Sequence, residues 1–370
     1  MRGDYFRRVF LAQAVYMLPV ALSWSFVFLA LYRSGFSLVD IILFKLVDYL
    51  ASAAALLVTR RYVVHRSMLI GFFGFAFVLA AIPYAHSLTS LLIIAVVDGF
   101  TFLHFWVPYN TIYFRFCGGR RAYMAGLMLL VPPLLYTIGP LLGGIILDEL
   151  GVTTLFLTGA LVAAAGGLVY FCGLRLGEIE VSLGSAWQAG AGLRSITFIQ
   201  GFWQAADWVC VPIVTLYFFT SGFSYGGFLS VIAVFGAFST LHLCRRSDER
   251  GSRSEYLYPS ILMAALATIM CAFTSDVVGW FLVRATVGFF ISLGNPFMLS
   301  VILDRMKDTA EAMYLREVFF NIGRATGVAV VLACQMLLGS FQYAFIPAGL
   351  LLLAYPLLIE RKGVCSRGVR

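Results

Sequence analysis

Several acidic side chains stand inside stretches of this chain that are otherwise apolar, and they could carry proton chemistry. Asp48, Asp98 and Asp207 each lie near the middle of such a stretch, and Glu317 lies nearer one end of another. An ionisable group near the centre of a bilayer costs roughly 2.5 to 3.5 kcal/mol on insertion scales, so each one needs a partner, a pocket or a function. A carboxyl group in an apolar cavity can take up a proton near neutral pH. We therefore predict that these four residues are candidate proton-coupling groups.

Basic side chains in the same stretches offer partners for some of these carboxylates. Lys45 lies one helical turn from Asp48, so the two can neutralise each other. Arg324 shares a helical face with Glu317 and can pair with it or with an aspartate on another stretch. Ion pairs that only hold helices together are the structural alternative for each of these groups.

Asp98 and Asp207 differ from the other acids because no opposite charge lies within one turn of either on its own stretch. This isolation favours a functional role, either in proton transfer or in pairing with a cationic substrate. His104 follows Asp98 in the same stretch and could relay protons, although a lone membrane histidine more often makes a structural hydrogen bond.

Polar and aromatic residues recur at helical spacing beside these charges. Gln200, Trp203, Gln204 and Asp207 follow the i, i+3, i+4, i+7 pattern of one helical face, and similar faces occur in the first and fourth stretches. The predicted substrate-binding residues are Gln13, Tyr16, Trp24, Asp98, Thr101, Phe105, Gln200, Trp203, Gln204, Asp207, Asn295, Asn321 and Arg324. The 34 Phe, 18 Tyr and 6 Trp favour an amphipathic or planar organic substrate over a sugar or a bare ion. Bulk facing lipid is the alternative interpretation of these aromatic residues.

The elements that must position these residues are membrane helices. Hydrophobic residues make up 61% of the 370 and charged residues only 12%, which is too apolar for a soluble domain of this size. We predict twelve spans, near residues 9 to 32, 36 to 58, 67 to 86, 88 to 113, 122 to 147, 152 to 174, 195 to 220, 223 to 244, 256 to 274, 277 to 303, 312 to 338 and 341 to 359. The first span is too long for a cleaved signal peptide, so we expect it to be retained.

Positive charge falls on every second connection between the spans, whereas the other connections carry only Arg33. Such alternation places both termini in the cytoplasm of a protein of the cell's inner membrane. The formal charge of +8 is explained by these short loops and by lipid headgroups, so no nucleic-acid partner is expected.

Metal, cofactor and nucleotide sites are not predicted. The seven cysteines have no CxxC spacing and no histidine partner at metal-ligand spacing, so neither a metal site nor disulfides are expected. The chain also lacks a GxxxxGK[ST] phosphate loop and any extramembrane segment long enough for a nucleotide-binding domain. We therefore expect no cofactor and no ATP-driven transport by this chain alone.

Internal repetition divides the chain into two parts. Several matches recur at offsets of 184 to 188 residues, and the clearest sets Ile138-Gly139-Pro140 with Gly143 against Ile322-Gly323-Arg324 with Gly327. The polar segment 177–194 lies between the two copies. We predict an N-terminal six-helix bundle over 1–176, a cytoplasmic linker over 177–194 and a C-terminal six-helix bundle with a short tail over 195–370.

With twelve spans, a six-plus-six repeat, inside termini and basic loops after spans two and eight, the chain resembles the major facilitator superfamily along its whole length. In span five, Gly126, Gly139-Pro140 and Gly143-Gly144 match the antiporter motif of that family, while Leu135 departs from it. Close helix packing by small residues is the alternative explanation of this pattern. The family's charged loop after span two is reduced here to Arg60-Arg61 and the five residues that follow, without its Asp and glycines. This loss puts the usual charge latch in doubt, although the arginines can still bind acidic groups on that face.

The resemblance implies an all-α membrane protein in which spans one, four, seven and ten line a central substrate path. We predict a monomeric secondary transporter, not an enzyme, that moves a small organic solute by alternating access, coupled to protons and exporting by antiport. Uptake of an organic anion by symport, guided by Arg324, Lys45 and Arg284, is the second hypothesis. A sensor or a lipid-acting membrane enzyme is the third, although Asp98 and His104 lie about 120° apart around a helix and form no catalytic cluster.

Overall fold

The fold is a bundle of long helices whose connections are short. The computed structural model describes residues 2–115, 120–171, 177–237, 240–250 and 253–361. Among the cysteines, Cys117, Cys172 and Cys365 lie outside these ranges. The α-helices are α1 (Arg2–Leu22), α2 (Val27–Arg33), α3 (Leu38–Val58), α4 (Val64–Ala81), α5 (Leu88–Arg115), α6 (Arg121–Tyr136), α7 (Gly139–Phe171), α8 (Leu183–Ala189), α9 (Arg194–Phe218), α10 (Gly222–Ala237), α11 (Thr240–Arg250), α12 (Ser254–Met270), α13 (Val277–Arg305), α14 (Thr309–Leu338) and α15 (Phe345–Arg361).

These helices follow the predicted spans closely. Nine continuous helical segments within the described ranges are long and apolar enough to cross a membrane, and one of them, 121–170, contains predicted spans five and six together. Span seven corresponds to α9, and span eight corresponds to the shorter apolar helix of residues 222–236. The chain is therefore an integral membrane protein with many apolar helices, and the count of twelve stays a prediction.

Local sequence explains where several helices begin or turn. Ser37 caps α3 in a reciprocal capping box, because its hydroxyl accepts from the backbone N–H of Asp40 while the Asp40 carboxylate accepts from the Ser37 backbone. Gly151 has φ 84° and breaks α7 between the two predicted spans. Glycine adopts this backbone conformation without the steric penalty that a Cβ would bring.

Two sets of helices pack against each other along the middle of the molecule. We call α1–α7 the N-terminal helices and α9–α15 the C-terminal helices. Within the C-terminal set α14 packs most extensively on α9, and it also contacts α3 and α5 of the N-terminal set. On the other side of the junction, α10 packs on α7 and α6, and α13 packs on α6. These contacts bring α3, α5, α9 and α14 together around a shared centre.

A short β-ribbon joins the segment between the two sets to an N-terminal loop. Strand β1 (Arg61–Val63) pairs antiparallel with β2 (Glu178–Glu180). Arg61 forms ion pairs with Glu178 and Glu180 across this ribbon, so an arginine of the loop after span two does bind acidic groups. The hydrogen bonds and neighbouring charges of Glu178 raise the pKa of Arg61, so its charge is retained. We call the end of the bundle with this ribbon the ribbon end, and the opposite end the far end.

Candidate functional site

Three ion pairs account for most of the charge inside the bundle. The first joins Lys45 to Asp48 within α3. The second joins Arg284 of α13 to Asp207 of α9, with 2.7 Å between Nη1 and Oδ1. Both aspartates are thus neutralised by cations. The partner of Asp207 lies on a different helix, so the spacing of residues within one span could not reveal it.

The third pair lies nearer the ribbon end on α14. Arg316 Nη1 lies 2.5 Å from Glu317 Oε1, so Glu317 pairs with its sequence neighbour. Arg324 was expected to pair with Glu317 or with an aspartate, and within the described ranges it forms neither ion pair. The physical reason is distance along the helix, because residues seven apart are separated by about two turns.

Asp98 is the remaining acid, and it is 5% exposed near the middle of α5. Its carboxylate makes no hydrogen bond and no ion pair with the residues that the structure describes. The charges of Asp48 and Lys45 lie within electrostatic reach of it. The adjacent Gly99 allows this approach, because a Cβ there would lie 2.2 Å from the backbone oxygen of Asp48. Asp98 is therefore a buried, unpaired carboxyl group beside an existing ion pair.

Arg324 is the remaining base, and it is 3% exposed near the middle of α14. Its Nε donates to Gln204 Oε1 at 2.8 Å, and its Nη1 donates to Asn321 Oδ1 at 3.1 Å. Neutral amide oxygens orient the guanidinium, but they bring no negative charge to it.

Aromatic rings surround this guanidinium on several sides. The centroids of Phe320 and Trp208 lie 4.2 and 4.9 Å from Arg324 Cζ. Tyr49 and Phe102, from the N-terminal helices, lie 5.4 and 5.6 Å away. Rings within about 6 Å of a cation attract it through their electron-rich faces. The group that we call the Arg324 cluster therefore spans the junction of the two helix sets and consists of Tyr49, Phe102, Gln204, Trp208, Phe320, Asn321 and Arg324.

The predicted residues of the first span form a packed aromatic and amide core. Gln13 donates to the backbone oxygen of Met128 and accepts from Tyr109 Oη, each at 2.9 Å. Tyr16 stacks on Phe105 with 3.7 Å between the ring centroids. These side chains already have partners in the bundle, and their role in substrate binding stays a prediction.

Other predicted residues point toward neighbouring helices of their own set. Thr101 lies against Gly74 of α4, and Trp203 donates through Nε1 to Thr268 of α12 at 2.9 Å. Trp24 is half-buried, with Lys45 Nζ 5.2 Å from its ring centroid. Gln200 is buried and its Oε1 has no hydrogen-bond partner among the described residues, while Asn295 is half-buried on α13.

The glycines of the span-five motif serve close helix packing. A Cβ at Gly143 would lie 2.1 Å from the backbone oxygen of Leu22, and one at Gly144 would lie 2.3 Å from that of Gly222. A Cβ at Gly139 would lie 2.7 Å from the Ala21 Cβ, and Gly126 is buried in α6. The small residues therefore let α7 approach α1 and α10, which is the packing explanation of the motif.

A carboxylate bridges the two helix sets at the far end. Asp148 accepts hydrogen bonds from the backbone N–H groups of Gly222 and Phe223, both at 2.8 Å. Arg33 lies 3.3 Å from Asp148 and donates to the backbone oxygen of Thr220. An acidic group at a helix N-terminus satisfies free N–H groups and the helix dipole. We call this contact the far-end cap.

A second carboxylate joins the two helix sets at the ribbon end. Here the acid belongs to the C-terminal helices and the helix start belongs to the N-terminal helices. Asp248 of α11 accepts from the backbone N–H groups of Ala122 and Tyr123, at 3.2 and 2.7 Å, where α6 begins. Arg253 lies 2.7 Å from Asp248 and 3.1 Å from Asp304. The charges of Asp304 and Asp248 outweigh the effect of burial and raise the pKa of Arg253. We call this contact the ribbon-end cap.

Sequence reasoning did not identify Tyr49, Trp208, Asp148 or Asp248. Tyr49 and Trp208 each follow an intramembrane aspartate directly, and Trp208 lies one turn beyond Gln204, which was the available signal. Asp248 lies between arginines in the basic loop after span eight, and an acid in such a loop was the available signal. That loop supplies a charge contact between the helix sets, whereas the loop after span two contributes β1.

Comparisons with known proteins place the fold. No protein-family model matches the chain, and no curated protein matches it by sequence. The crystal structure of the human organic anion transporter MFSD10 (TETRAN) is similar with a TM-score of 0.68 and 16% identity, over 96% of this chain and 98% of that one. The crystal structure of a variant of the E. coli fucose:proton symporter FucP is similar with a TM-score of 0.70 and 14% identity, over 97% of this chain and 98% of that one. The chain therefore has the fold of the major facilitator transporters along nearly its whole length.

Proposed function

We propose that this chain, with its major facilitator fold, is a secondary transporter that moves a small organic solute through the junction between its two helix sets. The observation that carries the proposal is the Arg324 cluster, a polar and aromatic site that residues of both sets build near the middle of their helices. The two similar structures named above are a transporter and a symporter, which supports transport over an enzymatic function. The N-terminal and C-terminal helices act in this proposal as the two six-helix bundles over 1–176 and 195–370.

Alternating access is supported by the positions of the two caps. Each cap joins the start of one helix to an acid from the other helix set, one at the far end and one at the ribbon end. Release of one cap while the other holds exposes the central site to one side of the membrane only. The basic ribbon end faces the cytoplasm in this proposal, and the protein acts as a monomer in the cell's inner membrane.

Proton coupling is assigned to Asp98 among the four candidate carboxylates. Asp48, Asp207 and Glu317 are each held by a basic partner, whereas Asp98 is buried and has none among the described side chains. A carboxyl group without a partner can gain or lose a proton without first breaking an ion pair. His104 is not assigned as its relay, because the two residues lie about 120° apart around α5; the imidazole Nδ1 contacts the backbone oxygen of Phe100 at 2.8 Å.

The direction of transport is a separate question. Antiport export rests on the span-five motif, and the packing of Gly143 and Gly144 suits either direction. The charge of Arg324 bears on the substrate, because it favours the hypothesis of an organic anion.

The test is solute flux in proteoliposomes with an imposed pH gradient. The panel contains organic anions, organic cations and neutral aromatic compounds, and the proteins are the wild type and Asp98→Asn. We expect gradient-driven accumulation of at least one solute by the wild type, and its loss in Asp98→Asn with exchange retained. A matched control is Glu149→Gln, which changes an exposed acid that has no partner among the described residues.

The outcome that contradicts coupling at Asp98 is full gradient-driven accumulation by Asp98→Asn. The outcome that contradicts transport is the absence of flux for every compound with wild-type protein that binds one of them.

A further inference from the structure

We propose that the transported solute is an organic monoanion whose acidic group binds Arg324 and whose apolar part lies against the rings of the Arg324 cluster. This inference rests on the proposed transport function and names the chemical class of its substrate. Carboxylates and other small oxyanions share the chemistry that a guanidinium recognises.

The first argument is the unbalanced charge of Arg324. The guanidinium is 3% exposed, and no carboxylate lies within 4 Å of it in the described part of the chain. A guanidinium has five N–H donors, and its bonds to Gln204 and Asn321 use three of them, leaving one on each terminal nitrogen. Two oxygen atoms of one acidic group can accept from the two remaining donors.

The second argument is the surroundings of this cation. The ring centroids of Phe320 and Trp208 lie 4.2 and 4.9 Å from Arg324 Cζ, and Phe102 and Tyr49 approach from the other helix set. Tyr49 is 4% exposed and its hydroxyl has no hydrogen-bond partner among the described residues. A buried hydroxyl without a partner costs free energy, and an acceptor on the solute would satisfy it. Aromatic walls with few polar groups suit an amphipathic or planar organic body.

The third argument is a count of the buried charges. The three ion pairs within the bundle are neutral, so among the buried residues that the structure describes Asp98 and Arg324 remain as one acid and one base without an ion-pair partner. A bound monoanion adds one negative charge, and protonation of Asp98 removes one. One anion and one proton therefore leave the buried charge unchanged while they are carried together. This balance favours symport of one proton with each anion.

A cationic solute fits the same residues poorly. The carboxylate of Asp98 lies within electrostatic reach of Asp48 and Lys45, the two members of the ion pair on α3, and it is not part of the Arg324 cluster. A cation in the Arg324 cluster would meet the positive charge of Arg324 at close range, and this repulsion costs free energy in a low-dielectric interior.

The experiment measures binding and flux for one matched set of aromatic compounds. The probes are 2-naphthoate as anion, 2-naphthamide as its neutral isostere and 2-naphthylmethylammonium as cation. Binding to purified wild type, Arg324→Gln and Arg324→Lys is measured by calorimetry in detergent, and flux is measured in proteoliposomes. Size-exclusion chromatography and thermal unfolding confirm that each variant is folded. Glu149→Gln serves as the control variant, because Glu149 is an exposed acid on α7, outside the Arg324 cluster.

We expect the wild type to bind the anion at least tenfold more tightly than the amide, and not to bind the cation. Arg324→Gln should lose this preference at least tenfold, and Arg324→Lys should retain part of it because the charge remains while the planar donor pair is lost. Equal binding of anion and amide by the wild type, no binding of the anion, or an unchanged preference in folded Arg324→Gln would overturn the proposal.

Flux separates this inference from the proposed function. Anion binding at Arg324 without any flux contradicts transport and leaves the site assignment intact. Flux of the amide or the cation without anion binding contradicts the anionic substrate and leaves transport intact.

Discussion

Individual charged residues in this bundle differ most in whether they have a partner. Three ion pairs inside the bundle contain Lys45, Asp48, Asp207, Arg284, Arg316 and Glu317. Among the buried acids and guanidinium or amino groups of the described ranges, only Asp98 and Arg324 have no ion-pair partner. Pairing offsets part of the cost of burying a charge, and removing one partner is costly, so a paired residue suits a structural role and an unpaired one suits binding or proton transfer.

The pair of Asp207 and Arg284 should behave as a structural unit. Removing one partner leaves the other charge buried, which costs about 3 to 5 kcal/mol. We expect Asp207→Asn and Arg284→Gln each to lower the thermal unfolding temperature in detergent strongly, and the double variant to lower it by less than the sum of the two. Additive effects in this double-mutant cycle would show that the contact of 2.7 Å contributes no coupling.

The hydroxyl of Tyr49 offers a test that separates binding from stability. Because it has no partner among the described residues, Tyr49→Phe should keep or raise the unfolding temperature while it weakens binding of the anion several-fold. Tyr314→Phe is the matched control, because its hydroxyl donates to the backbone oxygen of Leu56 at 2.7 Å and its loss should cost about 1 kcal/mol. Thermal unfolding and calorimetry measure both. A lower unfolding temperature for Tyr49→Phe would contradict the assignment.

Helices meet across the junction through their ends as well as their sides. The two caps relate α7 with α10 at the far end and α11 with α6 at the ribbon end, so each helix set supplies one acid and one helix start. A cap of this kind contributes about 1 kcal/mol, which is enough to shift the balance between two conformations about fivefold.

Neutralising the far-end cap should therefore open that end. We expect Asp148→Asn to increase the distance between spin labels at Ser34 and Ser221, which are exposed at the far end on different helix sets. Glu149→Gln, the exposed neighbour, should leave this distance unchanged. Pulsed electron spin resonance, in a background without the native cysteines, gives the distance distributions. Identical distributions for Asp148→Asn and the wild type would remove the cap from the gating scheme.

The far-end cap should hold across neutral pH. Partial burial raises the pKa of Asp148, but hydrogen bonds from Phe223, Gly222 and Arg33 lower it by more, so the net pKa lies below the ordinary value. A depressed pKa means that the contribution of the cap is present above the ordinary aspartate pKa of about 3.9 and is lost only as the pH falls through the lower value. We expect the spin-label distance at the far end to stay constant near neutral pH and to increase only in strong acid. A midpoint close to neutral pH would assign the titration to another group.

The orientation of the whole molecule in the membrane can be determined by cysteine labelling. Charge alternation predicts that the ribbon end faces the cytoplasm. Single cysteines at Arg60 and Arg361 should react with a membrane-impermeant maleimide only from the cytoplasmic side, whereas cysteines at Ser34 and His86 should react only from outside; all four positions are exposed. Reaction of Arg60→Cys and Ser34→Cys from the same side would contradict the assigned topology.

The fold predicted from the sequence agrees with the fold of the two similar structures. The agreement arises because the apolar spans used for the prediction are the helices that build the fold. Long apolar segments in alternation with short basic loops permit few arrangements in a bilayer, since each backbone polar group must be satisfied within a helix. The helices near 38–58, 88–115 and 309–338 accordingly match their predicted spans within a few residues. The β-ribbon was not predicted, because three-residue strands from distant segments carry no periodic signal.

Sequence alone determined the class of the protein, the approximate helices and the set of buried charges, since these follow from local composition and spacing. Only the tertiary structure decided which charges are paired, because the partner of Asp207 lies on another helix and the partner of Glu317 is its immediate neighbour. The surroundings of Arg324 were likewise decided by packing, which brings Tyr49 and Phe102 to it from the other helix set. The type of a side chain determines what it can bind. Only the packing of neighbouring helices decides whether another side chain already occupies its hydrogen-bonding groups and charge.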